Sequence, residues 1–412
     1  MSRGRLIFLN RFFWPDQSAT AQLLTDLATR LASEGEAEVL VVTSRLDYAD
    51  GGRSYAAREE KEGVRVRRLW STRFGRGRLA GRALDYLTIY ASFFFFLLRE
   101  ARPEDRVVLK TDPPLLTVPG MVARAIRPFR MVAWCQDLFP EVALAGMRLP
   151  GWVRAALRLL TRLRDRSLRT AEVVVVLGED MRRYLEERGL PCERIRVIPN
   201  WAIQREDDGG PAPPELRGRW GIGEEAVVIG YSGNLGRAHD HGTVLAAARE
   251  FTEEAGKVVF LCVGGGHGYE RLQKEAEEAG LSGLFIFRPY VDRAELHASL
   301  RVPDLHWFSL RPSLTPFLYP SKFAGILQAG RPVLFIGDPE SAIAAMIEAE
   351  GIGSAVEEGD GAGFAARVRA LLADSAGRKE AGRRAHAVWQ RDFRRRDRLR
   401  DWSELLLGGK EP

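Results

Sequence analysis

The 412-residue sequence predicts an α/β protein made of two successive doubly wound halves, each with a parallel sheet. Three observations carry that prediction. Apolar runs of strand length recur along the chain, each followed by a polar loop and an amphipathic stretch of helix length. The rhythm breaks once, in the Pro-, Gly- and acid-rich stretch 204–223, and then restarts. The composition, 45% hydrophobic and 28% charged, provides for full cores in a chain long enough for two or three domains.

The first half opens with a strand at Leu6–Leu9, a loop FFWPDQSAT and a helix capped by Ser18 with Leu24, Leu27 and Leu31 inward. Val39–Thr43 completes a βαβ opening, which implies a parallel sheet. The first loop holds no G-x-G-x-x-G, so a dinucleotide cofactor is not indicated. Val64–Leu69 reads as a strand. The segment 83–98 (ALDYLTIYASFFFFLL) is apolar but interrupted by Asp85 and shorter than the roughly 20 residues that span a bilayer. A buried helix and a segment dipping into a membrane surface are both open for it. Arg73, Arg76, Arg78 and Arg82 precede it, and Arg99 and Arg102 follow.

Val107–Leu109 and Met131–Cys135 are strands that run into KTDPPLL and QDLFPE. Loops at the carboxyl ends of parallel strands are where open α/β sheets hold ligands, so Asp112, Asp137 and Glu141 are candidate site carboxylates. Each reads equally as a helix cap or a solvated loop acid. Residues 151–169 form a basic amphipathic helix with Val153, Leu157, Leu160 and Leu163 or Leu168 as its apolar stripe. A membrane-surface face and an ordinary core-facing helix both fit it. Glu172–Leu177 and Ile195–Pro199 are further strands.

The second half repeats the pattern with strands at Ala226–Tyr231, Lys257–Val263, Leu284–Phe287, Asp304–Leu310 and Val333–Ile336. Ser321 is placed to cap a short helix with Phe323, Ile326 and Leu327 on its apolar face, ended by Gly330 and Pro332. Lys322 stands at that helix's amino end, which makes it a candidate anion site. Two other loops of this half suit phosphate, SGNLGRAH (232–239) and GGGHG (264–268). Their glycines let backbone N–H groups approach an anion, and Arg237 adds charge. His239, His241 and His267 lie near them without metal-ligand spacing and read as polar contacts or solvated residues. The tail 378–407 is basic and helical, and its Trp389, Phe393 and Trp402 imply that it packs back on the body.

Charge divides unevenly: residues 1–200 hold 34 Lys and Arg against 24 Asp and Glu, while the remainder is net acidic. A basic half suits nucleic acid, a phosphorylated substrate or an anionic membrane surface, and an Arg-rich composition also arises merely from a genome's base content. Cys135, Cys192 and Cys262 lie far apart and outside any metal spacing, as expected of free thiols in a reducing compartment. The N-terminus enters a strand directly, without the layout of a signal peptide.

Six stretches together carry a family resemblance: NRFFWPDQSATAQLL (10–24), LKTDPPLL (109–116), WCQDLFPE (134–141), VIPNW (197–201), GYSGNLGRAH (230–239) and YPSKFAGILQAGRPV (319–333). The chain resembles a bacterial GT-B glycosyltransferase of retaining family 4, in the branch that builds capsule, exopolysaccharide or O-antigen units. The resemblance implies two Rossmann-like domains facing a central cleft: an acceptor domain at 1–203, a donor domain at 204–385 and a C-terminal helix at 386–412 packing on the first. It implies a sugar moved from a nucleoside diphosphate sugar, uridine diphosphate first among them, to a glycan or lipid-linked acceptor. It implies no metal; no cofactor and no nucleic acid are expected, and the free thiols, the basic helix 151–169 and the apolar segment 83–98 suggest a cytoplasmic protein that touches the inner face of the membrane. No Asp-x-Asp triplet contradicts the absence of a metal.

Carried over position by position, the resemblance gives Gly233, Asn234 and Arg237 to the donor diphosphate. Pro289, Tyr290 and Val291 go to the base, and Pro320, Ser321 and Lys322 to the helix start under the phosphates, with Gly265 in the glycine loop between. Ser18 and Ala19 line the acceptor loop, where Asp137 orients the acceptor and Asp112 and Glu141 stand beside it. Asp137, Arg237 and Lys322 are the expected catalytic groups. One departure is plain. The family's E-x7-E motif falls on Phe317 and Gly325, and the position of an earlier acid in related branches on Thr315. That departure keeps two other readings in view, a non-catalytic GT-B partner subunit and a nucleotide-sugar epimerase of the same fold.

Overall fold

In this computed structural model the described residues are 4–47, 54–74, 79–202 and 213–408. The chain folds as two compact units, Met1–Pro199 with Arg396–Pro412, and Asn200–Arg395.

The first unit holds strands β1 (Arg5–Leu9), β2 (Glu38–Ser44), β3 (Arg58–Lys61), β4 (Val64–Leu69), β5 (Arg106–Lys110), β6 (Arg130–Trp134), β7 (Val173–Val176) and β8 (Ile195–Val197). They form one eight-stranded sheet in the order β3-β4-β2-β1-β5-β6-β7-β8. Every pairing is parallel except β3 with β4. Its inner strands are buried on both faces, with Ile7, Val107 and Met131 fully buried, as expected of a sheet covered by helices on each side. The order reverses between β1 and β5, which leaves a crevice at their carboxyl ends.

The second unit holds β9 (Val227–Asn234), β10 (Val258–Gly265), β11 (Phe285–Arg288), β12 (Leu305–Ser309), β13 (Val333–Ile336) and β14 (Gly353–Val356). All run parallel, in the order β11-β10-β9-β12-β13-β14. Here the reversal falls between β9 and β12. Tyr231, Phe260, Leu272 and Trp307 are among the buried residues of the core beneath it.

Four sequence expectations need correction or sharpening. The linker read at 204–223 is partly body. Residues 203–212 lie outside the described residues, but Pro214–Arg219 is a helix, and Leu216, Trp220 and Ile222 are buried against Val228 and Leu261. Pro and Gly around those residues mask an apolar patch. The segment read as 83–98 is a helix from Leu79 to Glu100 that is neither wholly buried nor lipid-like. Ile89, Phe93, Phe96 and Leu97 are buried, while Leu84, Leu87 and Phe95 face solvent. Asp85 does not interrupt it. Its buried carboxylate accepts from Thr72 Oγ1 at 2.7 Å and Phe74 N at 3.0 Å, which ties the preceding loop to the helix. Arg76 and Arg78 of its basic flank lie outside the described residues.

The tail divides between the units. The helix Ser375–Val388 and the turn Trp389–Phe393 belong to the second, where the Phe393 ring lies 5.6 Å from that of Phe323. The helix Arg395–Leu407 belongs almost wholly to the first. Its fully buried Trp402 packs against Trp134 of β6 with ring centres 4.5 Å apart and planes tilted by 49°, and Arg106 donates to the carbonyls of Leu405 and Leu406. Lastly, Ser321 does not cap: its backbone is helical and its side chain makes no cap bond. Ser18 does, accepting from Ala21 N at 3.4 Å.

Trp402 fills the space beside Trp134, so Trp402→Ala leaves a void of indole size. The expected cost is about 3–5 kcal/mol in the unfolding of the first unit, read as a lower denaturation midpoint. An unchanged midpoint would refute the packing role.

Candidate functional site

The second unit concentrates charge at the carboxyl ends of β9 and β12. Two glycines make the approach possible. Gly233 and Gly264 have φ of 118° and 141°, and a Cβ on Gly264 would stand 2.1 Å from the Gly233 carbonyl oxygen. The loops they open are stitched together, with Leu235 N donating to Gly265 O at 2.9 Å and Gly268 N to Leu235 O at 2.7 Å. A Cβ on Gly233 would also lie 2.9 Å from Lys322 Cε, so the lysine stem passes directly over the glycine turn. The structure thus joins SGNLGRAH, GGGHG and Lys322 in one place, although they are up to 90 residues apart in the sequence by the positions of Ser232 and Lys322.

Lys322 Nζ donates to His239 Nε2 at 3.0 Å and lies 5.3 Å from the centre of the Tyr231 ring. His239 Nδ1 bonds the Ser309 carbonyl oxygen. A carbonyl only accepts, so Nδ1 carries the proton and Nε2 presents a lone pair to the ammonium. The ring is therefore the neutral tautomer. Burial, then the Lys322 charge, push its pKa down to about 4, which agrees. Burial lowers Lys322 to about 8. Ser309 Oγ completes the support by donating to Asp240 O at 2.8 Å. The sequence reading of His239 as a mere polar contact missed this role. Its partner lies 83 residues away, and no local pattern signals it.

The helix that follows, Lys322–Gln328, has seven residues. So short a helix, without a side-chain cap, contributes little dipole, and the anion site expected at its amino end reduces to the Lys322 charge itself. Arg237 is exposed, and its carbonyl accepts from Arg311 Nε at 3.3 Å. Asn234 is exposed as well, and its own carbonyl accepts from Tyr231 Oη at 2.9 Å. Gly265 lies under Tyr290, whose ring would be 3.1 Å from an added Cβ. Pro289 and Tyr290 are exposed, Val291 is half-buried, Pro320 is buried and Ser321 is exposed.

In the first unit the carboxyl ends of β1, β5 and β6 gather another set. Ser18 caps the helix Ala19–Glu34, and Thr20 Oγ1 donates to Asp112 Oδ2 at 3.2 Å. Burial raises the Asp112 acid, partly offset by Arg11 and Thr20. Lys110, fully buried, donates to Thr20 O at 2.9 Å and sits 3.7 Å from the centre of the Trp134 ring. Asp137 is exposed as a residue, but desolvation of its carboxyl by the surrounding protein, then the Asp112 carboxylate, raise its pKa to about 6. Ser18, Ala19, Asp112 and Asp137 thus belong to one edge.

Glu141 does not join them. It is buried, and its Oε1 accepts from Arg164 and from Tyr184 Oη at 2.8 Å. Arg164 also binds Asp165 at 2.9 Å, and Asp165 binds Arg188 at 2.6 Å. The Glu141 Oε1 is committed to this buried network, a structural use that corrects its acceptor-side assignment. Among the described residues no cluster of three or more His, Cys, Asp or Glu could hold a metal ion. His239 and His241 near the glycine loops are engaged otherwise, His241 with its Nε2 3.0 Å from Glu275 Oε2.

Comparison with known proteins follows the same division. Residues 19–201 match the model of the glycosyl transferase 4-like domain, and residues 213–388 that of glycosyl transferases group 1. The putative colanic acid biosynthesis glycosyl transferase WcaI of Escherichia coli (strain K12) is 26% identical over 326 residues, 77% of this chain and 79% of that protein. The sucrose-phosphate synthase (tll1590) structure from Thermosynechococcus elongatus superposes with a TM-score of 0.76 at 16% identity, covering 98% of this chain and 99% of that one. The Anabaena Alr3699/HepE structure in complex with UDP-glucose does so with a TM-score of 0.69 at 15% identity, covering 98% and 100%.

The His239–Lys322 pair makes anion binding pH-dependent with a definite sign. Lys322 is charged below its pKa of about 8, so inorganic pyrophosphate should bind well at pH 7 and progressively less as pH rises through that value. Lys322→Met should remove this limb. Calorimetry showing the same pH dependence in wild type and Lys322→Met would refute the assignment.

Proposed function

The chain belongs to the GT-B glycosyltransferases of family 4, and from that premise we propose that it transfers a sugar, with retention and without a metal, from a nucleoside diphosphate sugar to a lipid-linked glycan in cell-surface polysaccharide synthesis. Uridine diphosphate is the first choice of carrier, supported by the likeness to a fold neighbour solved with UDP-glucose. The polysaccharide context is supported by WcaI. The single observation that carries the reading is Lys322 held by neutral His239 over the Gly233 turn.

In a transfer of this kind, negative charge builds on the departing diphosphate. Lys322 and Arg237 stabilise that charge more in the transition state than in the ground state, which is what accelerates the step. Asn234 and the main chain near Gly233 and Gly265 seat the diphosphate, and Pro289, Tyr290 and Val291 the base. Asp137 orients the acceptor hydroxyl and takes its proton. No enzymic nucleophile is required.

The lipid-linked acceptor places the protein on the inner face of the cell membrane. No described helix is long and apolar enough to cross a bilayer. The helix Gly151–Leu168 supports a peripheral contact instead. Its first ten residues include no buried one, and Trp152 and Leu159 are 77% and 63% exposed. Arg154, Arg158, Arg162 and Arg166 are exposed among them.

Arg237→Ala should weaken uridine diphosphate binding by about 1.5–3 kcal/mol, the scale of a charge-assisted contact; calorimetry giving unchanged affinity would remove Arg237 from the site. Asp137 acts as a base only when ionised, so turnover should fall as pH drops through its pKa of about 6. Asp137→Asn should lower turnover about 100-fold or more with donor affinity kept. Near-normal turnover would move the acceptor role elsewhere. Flotation with vesicles should recover the protein on anionic but not neutral lipid, and less at high salt. Equal recovery on both lipids contradicts the contact.

A further inference from the structure

The edge of the first sheet carries charge and apolar surface that the transfer step leaves unused. Arg11 stands two residues after β1 and Arg45 directly after β2, and Ser44 N donates to Arg11 O at 3.1 Å, so the two arginines start from neighbouring positions. The Nε of each is buried without a hydrogen-bond partner among the described residues. A buried guanidinium nitrogen left unbonded is costly, and an anion is what satisfies it. The Arg11 guanidinium also lies 5.0 Å from the centre of the Tyr86 ring, on the helix Leu79–Glu100. Asp112 is the carboxylate it faces.

From these cations an apolar track leads away. Arg45 N donates to Leu69 O at 3.1 Å, and the next residue, Trp70, is 61% exposed. Phe74, at 63%, is pinned by its N–H to Asp85. Leu84, Leu87 and Phe95 share the solvent face of the helix, at i, i+3 and i+11. Trp70, Phe95 and Phe96 line a groove of about 400 Å³ beside them. Several large apolar side chains are thus exposed on this part of the first unit, a feature that marks an interaction surface.

We propose that this edge is the binding track of the acceptor's lipid carrier: Arg11 and Arg45 take its phosphate, and the Trp70–Phe74–Leu84–Leu87 surface takes the start of its hydrocarbon chain. The chemistry commits to one class, an amphiphile with a phosphate head on a linear hydrocarbon. Two cations carried on hydrogen-bonded neighbouring loops fit a phosphate, and exposed Trp70, which follows the Leu69 bonded to Arg45, fits the start of the chain attached to it. The far end of the phosphate is then directed to the edge that holds Asp112 and Asp137. The inference rests on the reading of the acceptor as lipid-linked.

The test uses farnesyl diphosphate as probe, with inorganic pyrophosphate for the head alone and farnesol for the chain alone. Titrations run on the full chain in excess uridine diphosphate, so that a diphosphate beside Lys322 is not counted. Farnesyl diphosphate should bind at least about 10-fold tighter than either fragment, since head and chain share one ordering cost. Arg45→Gln should weaken it about 10-fold or more, the loss of a charge-assisted contact. Leu87→Glu, at an exposed position where folding is not at stake, should weaken it comparably. Uridine diphosphate affinity should hold in both variants. Binding of farnesyl diphosphate within twofold of wild type in both variants overturns the proposal. So does loss of anionic-vesicle binding with farnesyl diphosphate binding intact, which would make the row a bilayer contact. Failure of uridine diphosphate itself to bind would count against the donor reading alone, and the farnesyl titration then decides the present question in the Lys322→Met background.

Discussion

The arrangement depends on one topological constraint: in each sheet the strand order reverses once. Crossovers on the two sides of the reversal leave in opposite directions, so no connection covers the carboxyl ends of the two strands beside it. In the first unit those strands are β1 and β5, and in the second β9 and β12. Asn10, Arg11 and Asp112 follow the first pair; Gly233, Asn234 and the Ser309 carbonyl lie at the ends of the second. The side chains able to do chemistry stand where the backbone cannot close over them. Their polar atoms then need partners from elsewhere in the chain, which is why the important contacts are long-range.

The partner chosen in each place separates functional from structural charge. Lys322 is held by a neutral imidazole, so the pair keeps a net positive charge for an anion to meet. A carboxylate in the place of His239 would hold the ammonium as firmly and cancel it. Arg164 shows that alternative, since Glu141 and Asp165 surround it and the cluster presents no usable charge. Burial sharpens the contrast. It lowers Lys322 to about 8 and raises Asp137 to about 6, so both stand near neutrality, where a small change of surroundings moves a proton.

Much of this was legible in the sequence because parallel strands buried on both faces read as apolar runs. Val64–Leu69 and Val333–Ile336 were read with the bounds observed. The two strands missed are edge strands of other texture. β3 is REEK, with no apolar residue to reveal it, and β14 is GSAV, too short and weakly apolar to stand out. The site was legible only where a single loop carries it. Glycines and Lys322 announce an anion site locally, and Asp137 follows from its place after a strand. Glu141 was misread and His239 undervalued for one reason: what decides their roles is a partner brought by the fold, Arg164 and Tyr184 in one case and Lys322 and Ser309 in the other.

The same logic bears on the missing E-x7-E glutamates. Gly325 is buried inside the helix Lys322–Gln328, and a Cβ there would already stand 3.3 Å from Leu300 Cδ1. An acid at this position would need the Leu300 terminus to shift by a few tenths of an ångström, and a carboxylate buried there would cost several kcal/mol unless paired. Packing that has closed around a glycine therefore leaves a second carboxylate little room. Thr315 stands differently. Its hydroxyl is buried with no hydrogen-bond partner among the described residues, a condition worth about 1–3 kcal/mol to relieve. A neutral hydroxyl there can both donate and accept, where a glutamate only accepts. It can therefore meet a polar group of either kind without bringing a negative charge toward the diphosphate site that Lys322 serves.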